Sequence, residues 1–320
     1  MSRIRYRSVK SAASGKSGPR LALVGCGAIA ERYYLPALAR YPSVMRSLVL
    51  VDRNEERARE LAGRFGVKNC IGDYREILNE VDGAIVAVPT HLHFPIGVDF
   101  LGRGVHLLCE KPLAETSSLA REMVEQAAKA GATLAANYQC RLYRNLQKVR
   151  ELLVNGTLGE PLSIEYHVGV KFDWPSVSGF YFNGDLSSRG VLRDQGAHVL
   201  DVICWWLGRK PELVSSHNDS FGGSEAVAHV RFKQGRCVGE VKLSWLGKSG
   251  SRFVVRCEAG KVEPARRAGA VSERRRVLRA ELWVGRGSFR PEMGRGRHVE
   301  PGGVLLGPRV LLPGAAGARP

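Results

Sequence analysis

Leu21-Ala22-Leu23-Val24-Gly25-Cys26-Gly27-Ala28-Ile29-Ala30 decides the fold of this 320-residue chain. Four apolar residues run into G-x-G-x-x-A, and a helical pattern over 29–40 follows. The three small residues have separable tasks. Gly25 permits the tight turn out of a strand, Gly27 lets the backbone approach a pyrophosphate, and Ala30 lets helix pack closely on strand. The start of that helix offers unpaired N–H groups and the positive end of a dipole to an anion. The stretch predicts a strand–turn–helix unit that takes a dinucleotide, with Gly25, Gly27, Ala28 and Ile29 against its phosphates.

Working outward, a second apolar run over 47–51 ends in Asp52. An acid at that strand tip can accept both ribose hydroxyls of an adenosine. Its charge repels a 2′-phosphate, whereas the neighbouring Arg53 tolerates one, so NAD is the expected cofactor and NADP the alternative. Strand patterns recur at 69–71, 83–88, 105–109 and 132–136. Helical patterns recur at 54–65, 73–80, 95–103 and 116–130. This alternation predicts a doubly wound parallel sheet with right-handed crossovers, an α/β fold of Rossmann type. Ligands bind beyond the carboxyl ends of such strands. Residues just past the strands therefore carry the chemistry: Pro89, Thr90, His93, Glu110, Lys111, Asn137, Tyr138 and Gln139.

The second half alternates in polarity over 162–171, 213–216, 225–232, 236–246 and 252–258, with a hairpin turn at Lys233-Gln234-Gly235. That pattern suits an antiparallel sheet with one packed face. Between these strands, Asp194 and His198 stand four apart on a predicted helix, which puts them on one face. A carboxylate that orients an imidazole suits proton transfer near neutral pH. Asp201 could give the same support or face solvent. Lys111, held beside Pro112 at a strand tip, is a positioned cation able to polarise a hydroxyl.

Three blocks join the glycine-rich turn in a specific order: Val88-Pro89-Thr90-His91-Leu92-His93, Glu110-Lys111-Pro112-Leu113, and Gly190 to Asp201 followed by Trp206-Leu207-Gly208. Together they resemble the Gfo/Idh/MocA family of nicotinamide-dependent oxidoreductases over residues 21–260. The resemblance implies a Rossmann domain followed by an α/β domain with a large, open, mainly antiparallel sheet. It implies that Lys111 contacts the reacting hydroxyl and that Asp194 and His198 line the substrate pocket, so these three are the expected catalytic residues. Pro89, Thr90, His93, Glu110 and Gln139 join Asp52 and Arg53 on the cofactor side. Tyr138, Arg141, Tyr166, His167, Lys171 and Trp174 fall on the substrate side, Tyr166 and Trp174 serving equally well as core or loop packing. The expected activity is hydride transfer between NAD(P) and a secondary alcohol or ketone of a sugar, cyclitol or related polyol. The family also implies a homo-oligomer. A truncated, inactive remnant that still binds cofactor is the competing reading.

The formal net charge is +17, which taken whole suggests a polyanionic partner. Its distribution argues otherwise. The first twenty residues hold six of those charges and residues 261–320 hold eight, leaving +3 for 21–260. Of the 59 residues from Val262 to Pro320, 35 are Arg, Gly, Ala or Pro, and neither helical nor strand periodicity persists among them. Such a stretch buries too little apolar surface to offset its ordering entropy. Its abrupt change of vocabulary fits GC-rich DNA read in a shifted frame, or else a natural tail. With only Trp283 and Phe289 among its arginines, the tail is a poor nucleic-acid binder. The expected organisation is a basic leader over 1–20, a Rossmann domain over 21–138, an α/β domain over 139–260 whose sheet is incomplete, and a disordered tail over 261–320. Seven scattered cysteines without a Cys-x-x-Cys pair suit reduced thiols in the cytoplasm and no metal site. No apolar run reaches 18 residues, so no membrane-spanning helix is expected.

Overall fold

The computed structural model describes residues 18–173, 190–220, 224–247, 249–264, 278–282 and 304–306. The chain divides into two compact units. Among the described residues, 18–138, 173, 190–194 and 224 belong to the first, and the remainder to the second.

The first unit is built on a six-stranded sheet of β1 (Leu21–Val24), β2 (Val49–Val51), β3 (Asn69–Ile71), β4 (Gly83–Val86), β5 (His106–Cys109) and β6 (Leu134–Ala136). The order is β3-β2-β1-β4-β5-β6, and every pairing is parallel. Both faces are covered, which explains why the strands read as unbroken apolar runs. Ala22, Val24, Val51, Val86 and Leu107 pack on one face with Phe100 and Met123. Leu23, Leu50 and Ile85 pack on the other with Leu35, Ala58 and Leu61. The odd–even split follows from the two-residue period of a strand.

Helix boundaries follow local chemistry. Glu55–Phe65 starts at Asn54, whose side chain accepts from Arg57 N at 3.1 Å, and stops at Gly66 in the left-handed region. Ser117–Ala130 runs from a Thr116 cap to Gly131, also left-handed. The helix after the glycine-rich turn has a wide π turn at Ala30–Tyr34 before its α segment Leu35–Leu38. Pro36 has no N–H for the carbonyl four residues back, and the wider turn accommodates that loss. The helix expected over 73–80 is instead a 3-10 turn, Tyr74–Ile77, started by the Asp73 carboxylate accepting from Arg75 N at 3.0 Å.

The second unit carries β7 (Pro161–Gly169), β8 (Glu212–Asn218), β9 (Val227–Gln234), β10 (Cys237–Ser244), β11 (Gly250–Cys257), β12 (Gly260–Pro264), β13 (Leu278–Leu282) and β14 (Val304–Leu306). Their order is β14-β13-β12-β11-β7-β10-β9-β8. β7 runs parallel to β10 and β13 to β14, while the other pairings are antiparallel. Helices Arg144–Val154 and Ala197–Leu207 serve one face. There the Trp206 ring lies 6.0 Å from Tyr166 and 5.1 Å from Phe253, and its indole N–H donates to Leu146 O at 3.0 Å.

The sheet does not stop at residue 260. β12 crosses that expected boundary and pairs antiparallel with β11, and β13 extends it. Lys261 sits 3.4 Å from Glu263 and 3.3 Å from Glu281. The side of the sheet that a break after residue 260 would leave unpaired is therefore extended by paired strands.

Candidate active site

Strand order reverses between β1 and β4, and the crevice beyond their carboxyl ends is where such sheets receive ligands. Gly25 leaves β1 at φ +98°, with its N–H on Val51 O at 2.8 Å. A Cβ there would fall 2.3 Å from the Ala87 carbonyl oxygen. Gly27 is the opposite case, since a Cβ there would meet nothing within 4 Å. That open ground before a helix is the space a pyrophosphate requires, so this loop fits a dinucleotide.

Asp52 follows β2. Its Oδ2 accepts from Cys26 N at 2.7 Å and its Oδ1 from Asn54 N at 2.8 Å. The carboxylate braces the glycine-rich loop, yet each oxygen keeps a second lone pair for a ribose hydroxyl. Arg57 reinforces the loop by donating from Nε to Cys26 O at 3.1 Å. Its guanidinium also reaches Glu31 and Glu60, and Arg64 reaches Glu31 as well. Arg53, next to Asp52, is exposed.

A cleft of about 600 Å³, open mouth included, begins at Ile29. The end of β4 contributes Ala87, Val88, Thr90 and His93, the end of β5 contributes Glu110, Lys111 and Pro112, and the 190–194 turn contributes Gly190, Arg193 and Asp194. Lys111 Nζ donates to Asp194 Oδ1 at 2.8 Å and to the Asp194 backbone oxygen at 2.9 Å. The two side chains are 13% and 21% exposed, shielded enough to strengthen the pair yet open to a ligand. Asp194 lies in a second π turn, Leu192–Gly196, which leads into Ala197–Leu207. Wide turns of this kind recur at functional sites.

His93 is 1% exposed. Its Nδ1 lies 2.8 Å from Pro112 O and its Nε2 2.9 Å from Val88 O. Burial pulls the imidazole below its ordinary range, against those two carbonyl contacts. The ring ties the β4 and β5 turns together, and its nitrogens are committed to backbone rather than offered to a cofactor. Pro89 opens the Thr90–Leu92 turn.

Of the remaining expected residues, Tyr138 belongs to the first unit and the others to the second unit or to residues beyond description. His198 is half-buried on Ala197–Leu207. Gln139 starts the 3-10 turn Gln139–Leu142. Arg141 donates from Nε and Nη2 to the two Asp201 oxygens at 2.8 and 2.6 Å, so Asp201 serves this bidentate pair. Tyr166, expected on the substrate side, is placed in the core at 5% exposure, with Phe253 5.6 Å away. His167 receives Arg252 on Nδ1 at 3.2 Å. Trp174 lies outside the described residues. Tyr138 ends the first segment of the first unit, two residues past β6.

Two residues escaped the sequence reading, one that lines the cleft and one that bonds to a lining residue. Arg193 lines the cleft, hidden by the attention that Asp194 draws. Tyr34 donates to Glu110 Oε1 at 2.8 Å. Tyr34 closes the π turn Ala30–Tyr34, and that departure from the regular helix period left no signal of its direction in the sequence. Among the described residues no cluster of three or more His, Cys, Asp or Glu could hold a metal ion, and no helix is long and apolar enough to cross a membrane.

Residues 19–138 match the family model described as an oxidoreductase family, NAD-binding Rossmann fold. Residues 146–263 match the model of the GFO/IDH/MocA C-terminal domain. The chain is 32% identical over 207 residues to D-glucoside 3-dehydrogenase of Escherichia coli, covering 63% of this chain and 57% of that protein. It is 27% identical over 199 residues to myo-inositol 2-dehydrogenase of Thermotoga maritima, covering 58% and 57%. The chain thus spans a little over half the length of these curated relatives. In fold it is similar to the WlbA dehydrogenase of Bordetella pertussis, solved with NADH and UDP-GlcNAcA, at a TM-score of 0.68 and 21% identity over 77% of this chain and 73% of that one. Two family models laid end to end across the parallel sheet and the mixed sheet leave one assignment: the chain belongs to the Gfo/Idh/MocA oxidoreductase family.

Proposed function

We propose that this chain is an NAD-dependent dehydrogenase acting on a secondary hydroxyl of a sugar, cyclitol or related polyol. The observation that carries the reading is the Lys111–Asp194 pair in the cleft that starts at the glycine-rich loop. The relatives named for glucoside and inositol oxidation support the substrate class.

Gly25, Gly27, Ala28 and Ile29 would hold the pyrophosphate through backbone N–H groups, and Asp52 the adenosine ribose. Asp52 disfavours a 2′-phosphate by charge, which supports NAD over NADP, although Arg53 beside it could receive that phosphate. Pro89, Thr90 and Glu110 border the same cleft. When bound, the nicotinamide supplies the hydride acceptor or donor. The chain supplies position and proton handling. Lys111 Nζ, fixed by Asp194, meets the substrate oxygen and stabilises the negative charge that grows on it as the C–H bond breaks. His198, one helical turn past Asp194, takes the hydroxyl proton. Seven free cysteines, four of them buried, support a reducing compartment and hence the cytoplasm.

The test is the full chain with NAD and a panel of glucosides, inositols and anhydro-sugars, followed at 340 nm. NADH production with at least one member is expected. NADH binding with no turnover on any member would instead favour the inactive remnant.

A further inference from the structure

Glu110, which lines the cleft, anchors a polar cluster that the proposed chemistry does not use. Glu110 Oε1 accepts from Tyr34 OH at 2.8 Å and from Asn137 Nδ2 at 2.7 Å. Asn137 Nδ2 also lies 3.0 Å from Tyr34 OH, which closes a three-membered ring of hydrogen bonds. The members come from three separate elements: the helix after the glycine-rich loop, the end of β5 and the end of β6. All three are partly buried. Burial, and next the Glu110 carboxylate, push the Tyr34 phenol above its ordinary range, so it stays a donor at any working pH. Glu110 Oε2, by contrast, has among the described residues a single long contact, Lys111 N at 3.3 Å. One oxygen is saturated by two rigid donors, and the other keeps accepting capacity while the residue lines the cleft.

We propose that Tyr34 and Asn137 are positioning residues that act through Glu110: they fix its carboxylate so that Oε2 faces the cleft as an oriented acceptor for a hydroxyl of the bound dinucleotide. The inference rests on the reading of this cleft as a dinucleotide site. The physics is that of a preorganised acceptor. A free carboxylate must be ordered when ligand binds, whereas one held by two donors has already lost that freedom. An Asn137 amide and a Tyr34 hydroxyl each have donors to give and no charge of their own to perturb the site.

The experiment is a double-mutant cycle read by NADH affinity, using quenching of tryptophan fluorescence in the full-length protein. Tyr34→Phe removes only the hydroxyl, and Glu110→Gln removes the charge while keeping the shape. Each single variant should weaken NADH binding about ten- to a hundredfold, as expected for a hydrogen bond to a charged group. The Y34F/E110Q double variant should be no weaker than E110Q alone, because the Tyr34 hydroxyl bonds to Glu110 and to Asn137, which itself bonds to Glu110, so its effect converges on that carboxylate. Asn137→Ala with E110Q forms a second cycle with the same expectation, should Y34F fail to fold. Tyr33→Phe, at an exposed neighbouring position, should bind as wild type does. Losses that add in both cycles, or wild-type affinity in Y34F and N137A, would overturn the inference alone. A wild-type chain that binds no NADH would overturn the proposed function itself.

Discussion

Gly25 and Gly27 stand two residues apart and answer to different constraints. At Gly25 a side chain meets the Ala87 backbone oxygen at 2.3 Å in a left-handed conformation, so Gly25→Ala should destabilise the protein by about 2 kcal/mol or more. At Gly27 a methyl enters empty space. Gly27→Ala should therefore change stability by less than about 1 kcal/mol yet weaken NADH binding about tenfold or more, because the methyl occupies the ground a pyrophosphate needs. Urea unfolding and NADH titration of the two variants check this; equal loss of affinity without loss of stability in G25A would contradict it. Single residues were legible where position implied a task. Lys111 and Asp52 sit at strand tips, and the parallel sheet gathers strand tips in one place. Side chains whose task depends on neighbours were not legible. Tyr166 has the same residue type whether it faces a sugar or Trp206, and Arg141 gives no local sign that Asp201 will hold it.

At the scale of elements, the glycine-rich loop is fastened to helix Glu55–Phe65 through Arg57, which bridges Cys26 O and Glu31, with Arg64 joining from the last turn. Hydrogen bonding from Arg57 leads the causes that hold Glu31 below the usual carboxylate range. The sign follows from linkage. A carboxylate with a depressed folded pKa contributes stability above its unfolded value near 4.5, and that contribution is lost as pH falls through the folded value. In thermal melts between pH 7 and 3, wild type should therefore lose stability below pH 4.5 more steeply than Glu31→Gln. Parallel pH profiles would show that the clamp contributes nothing. The positions of the first six strands were readable because each apolar run ends in a turn signal. The short segment 73–80 misled because a 3-10 turn and a helix share the same capping Asp. Strands β12 and β13 alternate in polarity, at Lys261-Val262-Glu263 and Leu278-Arg279-Ala280-Glu281-Leu282, but each is only five residues long and lies in or beside an Arg/Gly/Ala/Pro tract that hides so short a period. They are ordered by neighbours instead, as Gly260 shows by lying so close to Glu281 that a Cβ would be 2.2 Å from its carbonyl oxygen.

For the molecule as a whole, the cysteines report on integrity. Cys26, Cys109, Cys237 and Cys257 are buried, and Cys70, Cys140 and Cys204 are partly accessible. Burial pushes Cys237 up to about 11, Cys26 and Cys257 up to about 12, and Cys109 upward as well. Thiolate is the reactive form, so alkylation at pH 8 should add at most three labels to native protein and seven in denaturant, by intact mass. A fourth native label would mean that one of the two units opens. The +17 charge, read by position, leaves a nearly balanced body over 21–260, consistent with a small-molecule enzyme. That account is tested most directly by single-turnover NADH formation at 340 nm, with a substrate identified from the panel, in wild type and Lys111→Met. The variant should form NADH about a hundredfold or more slowly, while its NADH dissociation constant stays within about threefold of wild type, since the proposed role of Lys111 is to meet the substrate oxygen and not the dinucleotide. Equal rates in the two proteins would contradict the assignment of the Lys111–Asp194 pair as the chemical centre.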